Sequence, residues 1–253
     1  MGLMMRWGLL RRLPIGIAFT LFAGLLAAPA FSASCPATPN VHFPDAAQLP
    51  NLGELKLQIL DYKCFGGYDR DVARVLAEAR VYVETRVGVV TNPAIILDID
   101  ETSLSNWPEI LANDFGYIGD GRCDSLPQGP CGEHAWELSA QAPALTPTLE
   151  LFKAAMSKGI AVFFITGRNG DDETRTATEK NLRLVGYEGW TGLIMRPAGS
   201  HTHFAADYKA PERAKIAARG FTIIANIGDQ RSDLDGGYAE RMFRVPNPFY
   251  FIP

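Results

Sequence analysis

Three carboxylates follow an apolar run in the stretch "AIILDIDETSLSNW", residues 94–107. Residues 94–97 have the composition of a buried strand, and Asp98, Asp100 and Glu101 come directly after it. Carboxylates this close repel one another, which raises the pKa of each unless a positive group lies between them. Paired acids can bind a cation, attack an electrophile or carry a proton. The spacing therefore indicates a chemical site at the end of a strand.

Polar side chains also end two later apolar runs. "IAVFFITG" leads to Thr166, and "TIIANIGD" ends at Asp229, with Asp233 in the following "QRSDLDGG". If the strands are parallel, their carboxyl ends meet at one edge of the sheet, where open α/β proteins bind ligands. We therefore expect these three side chains to lie near Asp98 and Asp100.

The predicted site contains carboxylates without histidine or cysteine, which is the ligand set of a hard cation. Mg²⁺ is favoured because one or two carboxylates hold it while it also contacts phosphate. An EF-hand Ca²⁺ site is disfavoured, since the loop from Asp98 lacks the glycine required at its sixth position. A Zn²⁺ site is disfavoured because these strand ends carry no imidazole. His201 and His203 are interpreted as loop residues rather than metal ligands, because no third ligand is near them in sequence.

These residue types suggest transfer of a phosphoryl group. Asp98 would attack phosphorus and form an aspartyl-phosphate, and Asp100 would protonate the leaving alcohol and then deprotonate water. Thr166 and the free N–H groups of the helix after "TGRNGDD" would bind the phosphate. A lysine is expected to neutralise its charge. Arg168 either contacts the phosphate or forms a salt bridge.

The elements that must position these residues alternate along the chain. Strand-like runs at "AIILD", "IAVFFITG", "GLIMR", "TIIANIGD" and "MFRVPN" are separated by amphipathic stretches such as "TPTLELFKAAMSKG" and "DDETRTATEKNLRLVG". This alternation predicts an α/β fold with a doubly wound, mainly parallel sheet. Residues 69–85 have helical spacing and are predicted to pack against the main domain. We expect an N-terminal helical extension over 33–90 and a core domain over 91–253.

The alternation stops between residues 103 and 144. Aromatic residues, prolines and glycines occur there instead, directly after the strand that carries Asp98. We interpret the insertion as a small cap that covers the site and limits water. The alternative is a surface loop closed by a disulfide and unrelated to substrate. Its aromatic side chains would either stack on a substrate ring or pack within the cap.

The first residues are typical of a secretory signal. Arg6, Arg11 and Arg12 precede an apolar run over 15–28 and small residues, so we predict that 1–32 is a signal peptide. The apolar run is short for a membrane span, and no stable span is expected in the mature protein. From this signal peptide we expect a periplasmic or extracellular location. A retained anchor, or an outer-membrane lipoprotein acylated on Cys35, is a less favoured alternative.

Cysteine content and charge limit the compartment and the partners. Four cysteines remain after signal removal, an even number that suits an oxidising compartment. Proximity favours the pairs Cys123–Cys131 and Cys35–Cys64 over a zinc site or four free thiols. Loss of three arginines and no acid changes the formal net charge from −4 to −7. No nucleic-acid polymer is expected as a partner, because such binding depends on lysine and arginine.

Four segments together resemble the motifs of the haloacid dehalogenase superfamily of phosphatases: "ILDIDETSLSN", "FFITGR", "ADYKAPERAKI" and "NIGDQRSDLDG". The resemblance is closest to the branch that holds bacterial class B and C acid phosphatases, plant acid phosphatases and vegetative storage proteins. It covers about residues 50–253. Motif four, "GDQRSDL", is more similar to the plant pattern than to the class C pattern, which leaves a class C substrate preference open.

The resemblance implies a role for each matching residue. Asp98 corresponds to the nucleophile, Asp100 to the general acid and base, and Thr166 to the phosphate-binding hydroxyl. Lys209 corresponds to the motif-three lysine, in preference to Lys215, which is interpreted as a solvated charge on the same helix. The metal ligands implied are Asp98, the backbone carbonyl of Asp100, Asp229 and, in support of the coordination shell, Asp233.

The sequence thus predicts a secreted, Mg²⁺-dependent acid phosphatase that hydrolyses small-molecule phosphomonoesters and that could form a homo-oligomer. Two alternatives remain open. One is a non-catalytic storage or phosphate-ligand-binding protein of the same fold, and the other is a phosphotransferase.

Overall fold

The computed structural model describes residues 51–200 and 205–252. The predicted signal peptide, Cys35, His201 and His203 lie outside the described residues. Within the described part of the chain, no helix has both the length and the apolar character that a membrane span needs.

A five-stranded parallel sheet forms the centre of the fold. The strands are β1 (Pro93–Leu97), β2 (Ala161–Asn169), β3 (Gly192–Arg196), β4 (Thr222–Gly228) and β5 (Arg241–Arg244). Their order is β3-β2-β1-β4-β5, and each neighbouring pair is parallel. The chain winds outward from β1 to β3 and then returns to the other side of β1 with β4 and β5. The predicted doubly wound α/β fold is confirmed.

Eight helices accompany the sheet within the described residues. They are α1 (Leu52–Cys64), α2 (Gly67–Arg86), α3 (Trp107–Ala112), α4 (Glu133–Ser139), α5 (Thr146–Ser157), α6 (Asp172–Leu184), α7 (Ala206–Ala218) and α8 (Arg231–Leu234). Local signals start some of them. The side chain of Asp171 accepts a hydrogen bond from Thr174 N at 2.9 Å and caps α6, whose first turn is acidic.

Both faces of the sheet are covered by helices. β1 carries apolar residues at every position, and these residues pack on both faces. Ile95 and Leu97 join the larger core cluster, which includes the buried face of α2. Ala94 and Ile96 face the opposite side and share a second cluster with Ile216 of α7. A continuous apolar strand of this kind is typical of a parallel sheet with helices on both faces.

The insertion between β1 and α5 starts and ends beside the carboxyl end of β1. Leu145 N donates to Ser103 O and Ser105 N donates to Pro143 O, both at 2.9 Å, so the two ends of the insertion are joined. It contains α3 and α4, and the predicted disulfide Cys123–Cys131 is present.

Candidate active site

Asp98 is held by the backbone at the end of β1. Its N–H continues the sheet ladder by donating to Ile227 O at 3.0 Å, and its carbonyl accepts from Ser103 Oγ at 2.6 Å. The chain then turns tightly, with Ser103 N and Leu104 N both donating to Ile99 O at 2.8 Å. Asp98 is therefore fixed at the edge of the sheet where the strands end, and the residue is only 5% exposed.

Four of the predicted site residues gather beside this strand end. Carboxylate oxygens of Asp98, Asp229 and Asp233 lie within 4.8 Å of one another, and all three residues are buried. Lys209 Nζ is 2.7 Å from Asp98 Oδ1 and also donates to Asp233 Oδ1. The ammonium group therefore lies between two of the acids, where repulsion would otherwise be strongest.

The acids of this cluster carry more negative charge than the lysine can balance. Burial raises the pKa of Asp98, the charge of Asp233 raises it further, and Lys209 only partly opposes them. Burial, followed by the charge of Asp233, raises the pKa of Asp229 to about 7. Burial disfavours the charged form of Lys209, but Asp233 and Asp98 outweigh it and raise the pKa of the ammonium.

The donor set fits a hard divalent cation. When all three carboxylates are ionised, they and the one ammonium leave a surplus of two negative charges, and the available ligand atoms are oxygens. Asp98, Asp229 and Asp233 are the residues that would hold the ion. The carboxylate of Asp100 does not belong to this group of three.

Gly228 permits Asp233 to approach the end of β4. A Cβ atom at position 228 would lie 2.4 Å from the Cβ of Asp233 and 2.6 Å from its Oδ2, so any side chain there would displace the acid. Gln230 N donates to Asp233 Oδ2 at 2.8 Å and completes a capping box at the start of α8. The buried Arg213 of α7 donates to the carbonyl of Asp233 at 2.6 Å and to that of Gly237 at 3.0 Å.

Asp100 has a separate set of partners. Arg168 Nη2 donates to Oδ1 at 2.7 Å, and Asn106 Nδ2 donates to the same oxygen at 2.9 Å. Thr166 Oγ1 lies 3.4 Å from Oδ2. Burial alone would raise the pKa of Asp100, but the charge and hydrogen bonds of Arg168, helped by Asn106, hold that pKa below its ordinary value. Of the two roles considered for Arg168, the structure contains the salt bridge.

Two further acids lie near Asp100. Glu101 accepts from Asn106 N at 2.6 Å and from Tyr250 OH at 2.9 Å, and burial raises its pKa to about 8. Glu137 of α4 lies 3.6 Å from Arg168 Nε, and burial raises its pKa to about 8. Glu101 lies in the first motif, "ILDIDETSLSN", but its position beside Asp98 and Asp100 in the sequence does not indicate what it does. Nothing in the pattern of the insertion distinguishes Glu137.

The aromatic residues of the insertion mainly pack. The Trp107 ring lies 6.1 Å from Phe115 and 5.3 Å from Phe249, measured between ring centroids. Trp136 is buried and its Nε1 donates to Asn106 Oδ1 at 2.8 Å. Tyr117, by contrast, is 79% exposed. Packing is thus the observed role of these rings, with Tyr117 as the exception.

Several polar residues that surround the acids are absent from the sequence-based site. Thr102 Oγ1 donates to Asp229 Oδ1 at 3.1 Å, and Gln230 Nε2 and Asn247 Nδ2 donate to Oδ2 at 2.6 and 2.8 Å. Asn247 follows the end of β5, so the rule that polar residues at parallel strand ends form the site could have identified it.

A doubly wound sheet with an Asp-x-Asp pair after its central strand is the architecture of the haloacid dehalogenase (HAD) superfamily. Within it, the chain belongs to subfamily IIIB, the acid phosphatase family, whose model matches residues 40–253. The enzyme class is therefore that of phosphomonoesterases, which are hydrolases.

Plant proteins are among the relatives of this chain. It is 34% identical to Acid phosphatase 1 of Solanum lycopersicum over 198 residues, which cover 77% of this chain and 73% of the relative. It is 33% identical to the Stem 28 kDa glycoprotein of Glycine max over 188 residues, 73% of this chain and 70% of the relative. Vegetative storage protein 1 of Arabidopsis thaliana is 32% identical over 159 residues, 62% of this chain and 55% of the relative.

Solved structures share the fold. The class C acid phosphatase from Bacillus anthracis superposes with a TM-score of 0.60 at 21% identity, covering 78% of this chain and 86% of that one. A second structure of that enzyme, with tungstate bound, gives the same values.

Proposed function

We propose that this protein is a secreted, Mg²⁺-dependent acid phosphatase that hydrolyses small phosphomonoesters through an aspartyl-phosphate on Asp98. One observation carries the proposal. Asp98, Lys209, Asp229 and Asp233, which are far apart in sequence, form one buried cluster at the carboxyl ends of β1 and β4. Buried acids with perturbed pKa values around one lysine are typical of a catalytic site.

In this mechanism Asp98 is the nucleophile. Its carboxylate attacks phosphorus, the bond from phosphorus to the ester oxygen breaks, and the phosphoryl group becomes attached to Asp98. Lys209, 2.7 Å from Asp98 Oδ1, favours the ionised form of the nucleophile and attracts the phosphate oxygens. A bound Mg²⁺ would neutralise further charge on the phosphate. Thr166 offers a hydroxyl at the same edge of the sheet for a phosphate oxygen.

Asp100 is the proton carrier in this proposal. It would give a proton to the leaving alcohol, and then take one from the water that attacks the aspartyl-phosphate and regenerates Asp98. Because Arg168 holds the pKa of Asp100 low, the protonated form is favoured at acid pH. An acidic optimum follows from this contact.

The proposed location and organisation rest on the sequence. Residues 1–32 would be removed as a signal peptide, 33–90 would form the helical extension, and 103–144 would form a cap on the 91–253 core. The disulfide Cys123–Cys131 supports a periplasmic or extracellular location, because disulfides persist in oxidising compartments.

The proposal is tested with the mature chain and p-nitrophenyl phosphate. We expect phosphate release that is lost in EDTA and restored by Mg²⁺. Asp98→Asn should abolish turnover, whereas Asp172→Asn, an exposed acid in the first turn of α6, should leave it unchanged. Full activity of Asp98→Asn would remove the proposed nucleophile.

The similarity to vegetative storage proteins favours one second candidate, a phosphate-ligand-binding protein without turnover. Mg²⁺ binding without phosphate release from a broad set of esters would support it. A phosphotransferase would instead be recognised by comparing released phosphate with phosphate transferred to an added alcohol.

A further inference from the structure

The carboxylate of Asp229 is unevenly hydrogen-bonded. Its Oδ2 accepts from two amide groups, those of Gln230 and Asn247, whereas its Oδ1 accepts from the Thr102 hydroxyl. A carboxylate oxygen has about two lone-pair positions. The two amides therefore occupy Oδ2, and Oδ1 keeps one position for another partner.

The amide of Asn247 is itself held in one orientation. Its Oδ1 accepts from Phe249 N at 2.8 Å, the bond of an Asx-turn, so its Nδ2 must point toward Asp229. Rotation of the amide by half a turn would place an oxygen against the carboxylate and would break both hydrogen bonds. The neighbouring Pro246 and Pro248 further restrict the backbone.

The segment that carries Asn247 is attached to the site on both sides. Val245 N donates to Gly228 O at 3.0 Å, at the end of β4. Ile252 N donates to Gln230 Oε1 at 3.1 Å, so the second amide donor is fastened to the same segment. Movement of this segment would disturb both amide donors to Asp229.

From these contacts we propose that Asn247 is a positioning residue for the cation ligand Asp229: its amide occupies Oδ2 and leaves Oδ1 as the oxygen for the ion. The inference rests on the proposed function, because the orientation of Asp229 matters for binding only if Asp229 holds a cation. Partners that orient a ligand commonly alter metal affinity by about 10- to 100-fold when they are lost.

The test measures Mg²⁺ binding directly. EDTA-treated mature protein is titrated with Mg²⁺ by isothermal calorimetry, as wild type and as Asn247→Ser. A serine hydroxyl can still accept from Phe249 N and preserve the turn, but it lacks the amide that reaches Asp229. We expect the Kd for Mg²⁺ to rise about 10- to 100-fold. At saturating Mg²⁺, kcat should return close to the wild-type value, because Asp229 itself is intact.

A matched control comes from α6. Asn181 is buried, and its amide, like that of the half-buried Asn247, makes one bond in each direction, with Ala142 N at 3.0 Å and Ala142 O at 2.8 Å. It has no contact with the acids of the site among the hydrogen bonds of the described residues. Asn181→Ser should lower the stability of the fold and leave the Kd for Mg²⁺ unchanged.

The outcomes separate this inference from the proposed function. A wild type that binds Mg²⁺, with an equal Kd for Asn247→Ser, overturns the inference alone, as does an equal weakening by both variants. A wild type that releases phosphate without any divalent ion overturns the Mg²⁺ dependence and the inference together. If circular dichroism shows Asn247→Ser to be unfolded, Asn247→Thr keeps the hydroxyl and serves as the second variant, with the same expected rise in Kd.

Discussion

The guanidinium of Arg168 donates hydrogen bonds to both carboxylate oxygens of Asp100. Its Nη2 lies 2.7 Å from Oδ1 and its Nε lies 3.2 Å from Oδ2, in a site where the arginine side chain is buried. A two-point contact of this kind is strong and geometrically specific. It holds Asp100 in its ionised form, whereas the proposed first half-reaction needs the protonated form. The pH dependence of the enzyme should therefore depend on this pair.

The first prediction concerns Arg168→Leu. Without the guanidinium, burial dominates and the pKa of Asp100 rises. Because protonated Asp100 donates the proton, kcat/KM falls as pH rises through its pKa. The descending limb of the pH profile should therefore move to higher pH. An alkyl phosphate is the substrate to use, since its alcohol needs that proton more than nitrophenol does.

Arg168→Lys and Arg183→Leu are the controls for this profile. The lysine keeps a charge but not the two-point contact, so a smaller shift is expected. Arg183 pairs with Glu179 on the exposed surface of α6, and its loss should not move the profile. An unshifted limb in Arg168→Leu would mean that Asp100 does not supply the proton.

The sequence was sufficient to predict the sheet, because each strand could be recognised from its own residues and their immediate neighbours. The apolar run over 94–97 and the alternation after it predict parallel strands, and parallel strands bring their carboxyl ends together. Asp98 and Asp229 could therefore be associated although they are far apart in the chain.

The contacts of the orienting groups could not be predicted in the same way: the strand-end rule could place Asn247 at this edge of the sheet, but not its amide against Asp229. The contact between Asn247 and Asp229 depends on how the C-terminal segment folds back over β4, and periodicity contains no such information. Glu137 lies in an insertion without regular spacing, and its position beside Arg168 is set by tertiary packing. For Arg168 the sequence left two roles open, a phosphate contact and a salt bridge, because sequence does not specify the rotamer of a long side chain.

The second prediction concerns Gly228→Ala. The added Cβ would lie 2.4 Å from the Cβ of Asp233, and the backbone or α8 would have to shift. We expect a loss of about 1 to 3 kcal/mol in the free energy of unfolding, as for other overpacked sites, together with weaker Mg²⁺ binding. Urea denaturation and calorimetric titration measure the two effects.

Gly53→Ala is the comparison for Gly228→Ala. Gly53 lies in the first turn of α1, and its Cβ would lie 3.1 Å from one atom only, Oδ1 of the capping residue Asn51, which is much less crowded than the 2.4 Å approach at Gly228. Alanine is the better helix former, so stability should stay equal or rise slightly. A Gly228→Ala protein as stable as wild type, with normal Mg²⁺ affinity, would show that α8 tolerates the displacement.

The third prediction is that stability of the metal-free protein falls as pH rises. Burial raises the pKa of Asp229 to about 7 and those of Glu101 and Glu137 to about 8, from ordinary values of 3.8 and 4.5. At pH values between the ordinary and the raised pKa of each acid, the folded chain keeps a proton that the unfolded chain has released. Stability is therefore greatest below the unfolded pKa values and declines as pH rises toward the folded ones. Thermal unfolding in EDTA at a series of pH values measures the decline.

Mg²⁺ should reverse the part of that decline that comes from Asp229. Of these three acids, only Asp229 is a ligand in the proposed ion site, so the ion competes with the proton there and binds more strongly once Asp229 is ionised. Ligand binding to the folded state stabilises it, and the rise in Tm with Mg²⁺ should therefore be larger near neutral pH than at acid pH. Asp229→Asn removes one of the competing acids and should reduce both the pH dependence in EDTA and the rise with Mg²⁺. An equal rise in Tm at all pH values would place the ion away from these acids.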